Sequence, residues 1–230
     1  MFRSILKKFL AQNGYEIRRI HQEPAYKKVD SVINYNSGNS MDLIYADPEY
    51  YKEYVNPTTT KFFEDLINKS IERKIDFNNK KIADIGCGIG LLFKEVQKRR
   101  FSNISLHGFD FSKEAIKMAQ QQIPAACFAT FDIYQPLRDE FDIIYCTEVL
   151  EHLIQPEEAI RNILANLKFG GYSILTVPDG RRDTYAGHIN FWSAESWQEF
   201  IKKNCCDNSY ETGYIGDNSD VFAIIHRNCQ

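Results

Sequence analysis

Residues 82–90 read IADIGCGIG, and the reading of this stretch decides the fold. Ile82, Ala83 and Ile85 have the apolar character of a buried strand end. Gly86, Gly88 and Gly90 follow at alternate positions, and LLFKEVQKRR then turns to helical spacing. A strand, a glycine turn and a helix in succession place a helix N-terminus under a nucleotide-type ligand. Several cofactor families use that arrangement, so the loop alone does not name the ligand.

On either side of this loop the chain alternates. Downstream come ISLHGFD as a strand, then SKEAIKMAQQQ as a helix with Ser112 at its cap, then the strand AACFATFD. FDIIYCTEV is a fourth strand, PEEAIRNILANLK a helix opening at Pro156, and GGYSILTVPD a fifth strand. SAESWQEFIKKN, capped by Ser193, is the last helix, and VFAIIHR is a closing strand. Units of this length force parallel strands with covering helices on both faces, an α/β doubly wound sheet. Upstream, Asp47 caps a helix with Pro48 at its first position, and after Pro57 a second helix runs from about Thr58 to Glu72. NYNSGNS at 34–40 reads as an irregular loop.

The 230 residues suit one domain, with residues 1–57 as a helical extension or cap and 58–230 as the main body. A net charge of −3 gives no reason to expect DNA or another polyanion as partner. No apolar run approaches the roughly 20 residues of a membrane span. The six cysteines show no CxxC pair and no zinc spacing, and are expected to be reduced thiols in a cytoplasmic protein. MFRSILKKFL begins as a basic amphipathic helix without the pattern of a secretory signal. It is expected to dock on its own domain or on a sister subunit of a homodimer, the alternative being an anionic membrane surface or another partner.

Asp110 ends the second strand, where a carboxylate can accept from both hydroxyls of an adenosine ribose. NAD-binding domains share that feature. The glycines do separate the cofactors, because a dinucleotide fingerprint is GxGxxG and the position of its third glycine here holds Leu91. A phosphate loop ending in Gly-Lys-Ser/Thr is also missing from this run.

At these residues the chain resembles the class I S-adenosylmethionine-dependent methyltransferases. ADIGCGIG looks like their first motif, GFDFS their second, TFDIY their third, FDIIYCTEVLEHL their fourth-strand motif and LKFGGYSILTVPD their fifth strand, all in family order. GHINFWSAESWQEFI resembles the segment that follows. The resemblance implies a Rossmann-like, mainly parallel seven-stranded sheet and S-adenosylmethionine as cofactor. It also implies a cofactor-binding set of Asp84, Gly86, Cys87, Gly88, Gly90, Asp110, Phe111, Asp132, Ile133 and Thr147. Within it Asp84 would order the loop and orient the cofactor's amino group, and Asp110 would hold the ribose. Phe111 would lie against the adenine, and Asp132, with the Ile133 backbone beside it, would accept from the adenine amine.

Methyl transfer from a sulfonium is an in-line displacement, and a hydroxyl acceptor must also lose a proton. Histidine is the natural base near neutral pH. His152 in EVLEHL and His188 in GHINFW both follow strands, and His188 is favoured for its place in the acceptor-shaping region. In the ubiquinone-biosynthesis O-methyltransferases, which EVLEH resembles, the ExxEH cluster can hold a divalent metal. Glu148, Glu151 and His152 make up that cluster here, and Glu148 and His152 would share a helix face, although a metal is not the favoured reading. The Asp/Asn-Pro-Pro-aromatic motif of nucleobase N-methyltransferases is replaced by Cys146-Thr147-Glu148-Val149. Arg181, Arg182 and Tyr185 can meet an acidic acceptor or form a solvated loop.

The opening LKKFL…GYEIRRI loosely resembles methyltransferases associated with surface polysaccharides. The expected activity is therefore O-methylation of a small molecule or a sugar or glycan-linked acceptor. An RNA-modifying methyltransferase is the alternative enzyme class, and it would want a contiguous basic face, which this composition does not advertise. A binding module that has kept the fold without the chemistry is the third.

Overall fold

The computed structural model describes residues 37–228 except Ala186 and Asn218. The basic helix read at residues 2–10 lies outside the described residues. Three helices come first: α1 (Gly38–Tyr45), α2 (Pro48–Tyr54) and α3 (Pro57–Glu72). Each begins at a side-chain cap. Ser37 accepts from the Ser40 N–H, Asp47 from Glu49 and Asn56 from Thr59, and proline opens both α2 and α3. Helix α1 replaces the second half of the loop read at 34–40, because Ser37 caps it and Ile44 and Tyr45 anchor it in the core.

The alternating units follow as β1 (Lys81–Ile85), α4 (Leu91–Lys98), β2 (Ser105–Asp110), α5 (Lys113–Gln122), β3 (Cys127–Thr130) and β4 (Phe141–Thr147). A single 3₁₀ turn at Leu150–His152 precedes α6 (Pro156–Ala165), β5 (Leu167–Pro178), α7 (Ala194–Asn204), β6 (Ser209–Ile215) and β7 (Asp220–His226). The seven described strands form one sheet in the order β3-β2-β1-β4-β5-β7-β6. The first five are parallel, and β7 runs antiparallel to both β5 and β6. Edge strand β6 was not legible in the sequence, since its residues are only partly buried and Gly213 interrupts them.

Both faces of the central strands are buried, as their near-continuous apolar sequences require. Ile143 and Tyr145 of β4 face α3 and α4, packing with Leu66, Ile67, Leu92 and Phe93. The alternate residues Ile144 and Cys146 face α6 and α7, packing with Ile160, Ile163, Trp197 and Ile201. Each fully buried large side chain here contributes about 1.5–3 kcal/mol. Among the described residues no helix is long and apolar enough to cross a membrane.

The chain winds outward from β1 through β2 to β3, then crosses to β4 on the other side of β1. The carboxyl ends of β1 and β4 therefore flank the point where the winding reverses, and ligands in such sheets bind outside that edge.

Candidate active site

The loop after β1 is built from left-handed backbone, with φ of +77° at Gly86 and +49° at Gly88. Only glycine adopts these angles without strain. A Cβ on Gly86 would overlap the Val149 side chain of the loop after β4, so the two loops touch across the switch point. The Gly86 and Cys87 N–H groups donate to the Phe109 carbonyl at 2.7 and 2.9 Å, tying the glycine loop to β2.

Asp110 binds this loop from the other side. Its two oxygens accept from the Gly88 and Ser112 N–H groups, both at 2.9 Å. Burial pushes its carboxyl up to about 6 in spite of those hydrogen bonds. Asp84, at the end of β1, is buried with one oxygen lacking any protein partner. Burial first, and the Asp110 charge second, push it up to about 8. An orphaned buried carboxyl oxygen beside a bare glycine cradle fits a ligand bearing a cationic head group. Cys87 is buried, and burial raises its thiol, so it lines the loop as an apolar group.

Other residues of the expected set surround this cradle more loosely. Phe111, 39% exposed, follows Asp110 directly and presents a ring to solvent at the mouth of the loop. Asp132 is exposed, and its Oδ1 accepts from the Tyr134 N–H at 3.0 Å, which makes it a turn former. The Ile133 carbonyl accepts from Asn162 Nδ2 at 2.9 Å, fixing that loop to α6. Thr147 is buried at the end of β4.

The loop after β4 departs from the expected helix. Glu148 has φ +56°, and the 3₁₀ turn begins only at Leu150, so Glu148 and His152 share no helix face. Glu148 Oε1 accepts instead from Thr176 Oγ1 at 2.9 Å, and burial holds its carboxyl above the ordinary range. The acid that stands with His152 is Glu151, and the group is completed by His188 from the loop after β5.

That loop is fastened to the 3₁₀ turn by backbone bonds. The Ile189 and Asn190 N–H groups donate to the Glu151 carbonyl at 2.9 and 3.0 Å, and Asn190 Nδ2 donates to the Leu153 carbonyl at 2.6 Å. The His152 and His188 rings consequently lie with centroids 4.6 Å apart. His188 Nδ1 is 2.5 Å from Asp183 Oδ2, and His152 Nδ1 is 3.1 Å from the Gly187 carbonyl. With both Nδ1 atoms donating, both Nε2 atoms are left with a lone pair, and they lie 3.8 and 3.9 Å from Glu151 Oε1.

Burial, and then His188, lower His152 to about 4, so it is neutral at neutral pH. Both Glu151 oxygens are buried without a hydrogen bond, and burial together with Glu148 raises its carboxyl well above the usual value. Two imidazole nitrogens and a carboxylate oxygen, all within 4.8 Å of one another, fit a divalent ion. The outer partners Asp183 and Gly187 orient the rings as the supporting shell of such a site does.

Asp183 and Asn190 were not singled out in the sequence. The GHIN run marked His188, but the pairing with Asp183 depends on the path of a loop. Of the post-β5 residues offered for an acidic acceptor, Arg181 is ion-paired with Glu195. Tyr185 packs edge-on against His188, with centroids 4.8 Å apart.

A solved structure of the N-methyltransferase NodS from Bradyrhizobium japonicum, in complex with S-adenosyl-L-homocysteine, superposes with a TM-score of 0.66 at 22% identity. The match covers 84% of this chain and 98% of that one, a likeness of fold. A ubiquinone biosynthesis O-methyltransferase from Chromobacterium violaceum is 31% identical over 109 residues, 44% of this chain and 46% of its own. The protein of the same name from Coxiella burnetii is 33% identical over 123 residues, 51% of this chain and 48% of its own. The chain thus spans about half the length of these curated relatives. A family model described as a methyltransferase domain matches residues 51–204, more than half of the chain. Over residues 51–204 the chain belongs to the methyltransferase domain family.

Proposed function

We propose that the protein transfers a methyl group from S-adenosylmethionine to a hydroxyl of a small molecule or a glycan-linked acceptor. The observation that carries this reading is the Asp183–His188 pair, held at 2.5 Å on the same sheet edge as the glycine cradle. When bound, S-adenosylmethionine supplies an electrophilic methyl on a sulfonium whose sulfur leaves as a neutral thioether. Asp84 takes the cationic amino group on its unpartnered oxygen, and Asp110 and Phe111 hold the adenosine. Asp132, the Ile133 backbone and Thr147 complete the pocket. Asp183 fixes the His188 tautomer, so that His188 Nε2 receives the acceptor's proton and the resulting imidazolium is stabilised by the Asp183 carboxylate. His152, neutral and adjacent, positions the His188 ring.

The hydroxyl acceptor is supported by the names of the curated relatives, and the glycan-linked class by the resemblance of the opening residues. The donor set Glu151, His152 and His188 favours a second reading, in which a divalent ion held there lowers the acceptor's pKa.

Labelled methyl transfer from S-adenosylmethionine into fractionated cell extract tests the proposal. Label in a metabolite or glycan fraction is the expected result, and label confined to RNA would overturn it.

A further inference from the structure

The glycine cradle is roofed by residues that belong to none of the methyltransferase motifs. Tyr45 ends α1 and Tyr54 ends α2, and both direct their hydroxyls at Gly88. A Cβ placed on Gly88 would stand 2.8 Å from the Tyr45 oxygen and 3.3 Å from the Tyr54 oxygen. Tyr50 braces the pair, stacking on Tyr54 with centroids 5.7 Å apart and meeting Tyr45 edge-on at 5.5 Å.

Tyr45 is buried and Tyr54 half-buried, and a hydroxyl taken out of water costs free energy unless it meets a polar partner. Burial raises both Tyr45 and Tyr54 well above the ordinary phenol value, and the Asp110 carboxyl adds to it for both. The Asp84 carboxyl adds further for Tyr54. The Asp110 carboxyl, whose Oδ2 accepts from the Gly88 N–H at 2.9 Å, thus stands with the two phenol oxygens around Gly88. Oxygen atoms gathered in this way suit a positively charged ligand.

The roof is also fastened to the adenosine side of the site. Asp42 of α1 accepts from Ser112 Oγ at 2.6 Å and from the Glu114 N–H at 3.1 Å. Gly38 brings α1 close to the Phe111 carbonyl, 3.1 Å from where a Cβ would stand. Helices α1 and α2 therefore run from the ribose carboxylate's loop to the methionine end of the cradle.

We infer that Tyr45 and Tyr54 form a lid that holds the sulfonium end of the cofactor, their hydroxyl oxygens facing the positive sulfur and its polarised C–H groups. The inference rests on the S-adenosylmethionine reading above. It makes a demand that simple core packing does not: the lid discriminates charge. S-adenosylhomocysteine has the same shape without the methyl or the positive charge.

Isothermal titration of the full chain with S-adenosylmethionine and with S-adenosylhomocysteine tests this. Tyr45→Phe, Tyr54→Phe and the double variant keep the rings and their packing, and thermal unfolding verifies the fold of each. In the double variant S-adenosylmethionine affinity should fall about tenfold and S-adenosylhomocysteine affinity by no more than about twofold. Each single variant should show part of that difference. Equal losses for the two ligands, or none for either, with the wild-type protein binding both, would overturn the lid. Binding of neither ligand by the wild-type protein would overturn the cofactor reading beneath it.

Discussion

His188 Nδ1 lies 2.5 Å from an oxygen of Asp183, five residues earlier on the loop after β5. The contact turns the ring so that its other nitrogen points away from the supporting carboxylate. Asp183→Asn keeps the size of the side chain but can offer an N–H to Nδ1 and reverse the tautomer. Turnover should then fall by about a hundredfold or more, while S-adenosylhomocysteine affinity stays within about twofold. Steady-state rates with the identified acceptor, alongside titration calorimetry, check this. Unchanged turnover would remove His188 as the base.

Asp84 sets stability against binding. Its native value of about 8 lies above the unfolded value of 3.8, so the folded state holds the proton more tightly. Its contribution is fully present below the unfolded value and is lost as pH rises toward about 8, where both states are ionised. Asp84→Asn is neutral throughout and should make the ligand-free protein melt higher than wild type at about pH 8, with little change near pH 4. The same substitution should weaken S-adenosylmethionine at least tenfold, because it removes the anion offered to the amino group. Melting curves at several pH values and calorimetry read the two effects separately.

His152 and the metal reading are separated by chelation. His152 remains neutral down to about pH 4, so its ring nitrogen is open to a proton or a divalent ion at neutral pH. If His188 acts as the base without a metal, dialysis against EDTA leaves turnover within about twofold. Loss of activity on dialysis and its return with a divalent ion would transfer the acceptor's activation to Glu151, His152 and His188 as ligands.

The helix caps and the glycine turn are legible in the sequence. The caps at Asp47, Ser112 and Ser193 fall where Asp-Pro or a serine precedes a helical run, since the side chain need only reach an N–H two or three residues away. The glycine loop is equally local, because positive φ leaves a signature in the residue itself. What escaped is non-local. Glu148 was paired with His152 on helical spacing, but its positive φ sends it to Thr176 of β5, 28 residues away. Tyr45 and Tyr54 carry no local signal, and only the fold brings their hydroxyls to Gly88. Helix α1 was hidden inside a polar stretch whose serine cap resembles turn chemistry.

Asp42 joins that hidden helix to the nucleotide side of the site, and its removal separates anchoring from contact. Ser112 caps α5 through its own oxygen at the Ala115 N–H, while Asp42 receives the Ser112 hydroxyl proton and the next free N–H, that of Glu114. The positive end of α5 thus holds a carboxylate contributed by α1, 70 residues earlier in the chain. Asp42→Ala leaves two donors of that first turn without this acceptor and should cost about 1 kcal/mol of stability. It also takes away a negative charge that raises Asp110, so the Asp110 carboxyl should titrate lower than its present value of about 6. The two effects have separate readouts. Thermal unfolding reports the lost cap, and carboxyl-resolved NMR titration of the ligand-free protein reports Asp110. A stability loss with Asp110 unmoved would mean that α1 caps α5 without influencing the ribose carboxylate. A downward shift with unchanged stability would mean that water replaces the cap and that the contribution of Asp42 is electrostatic alone.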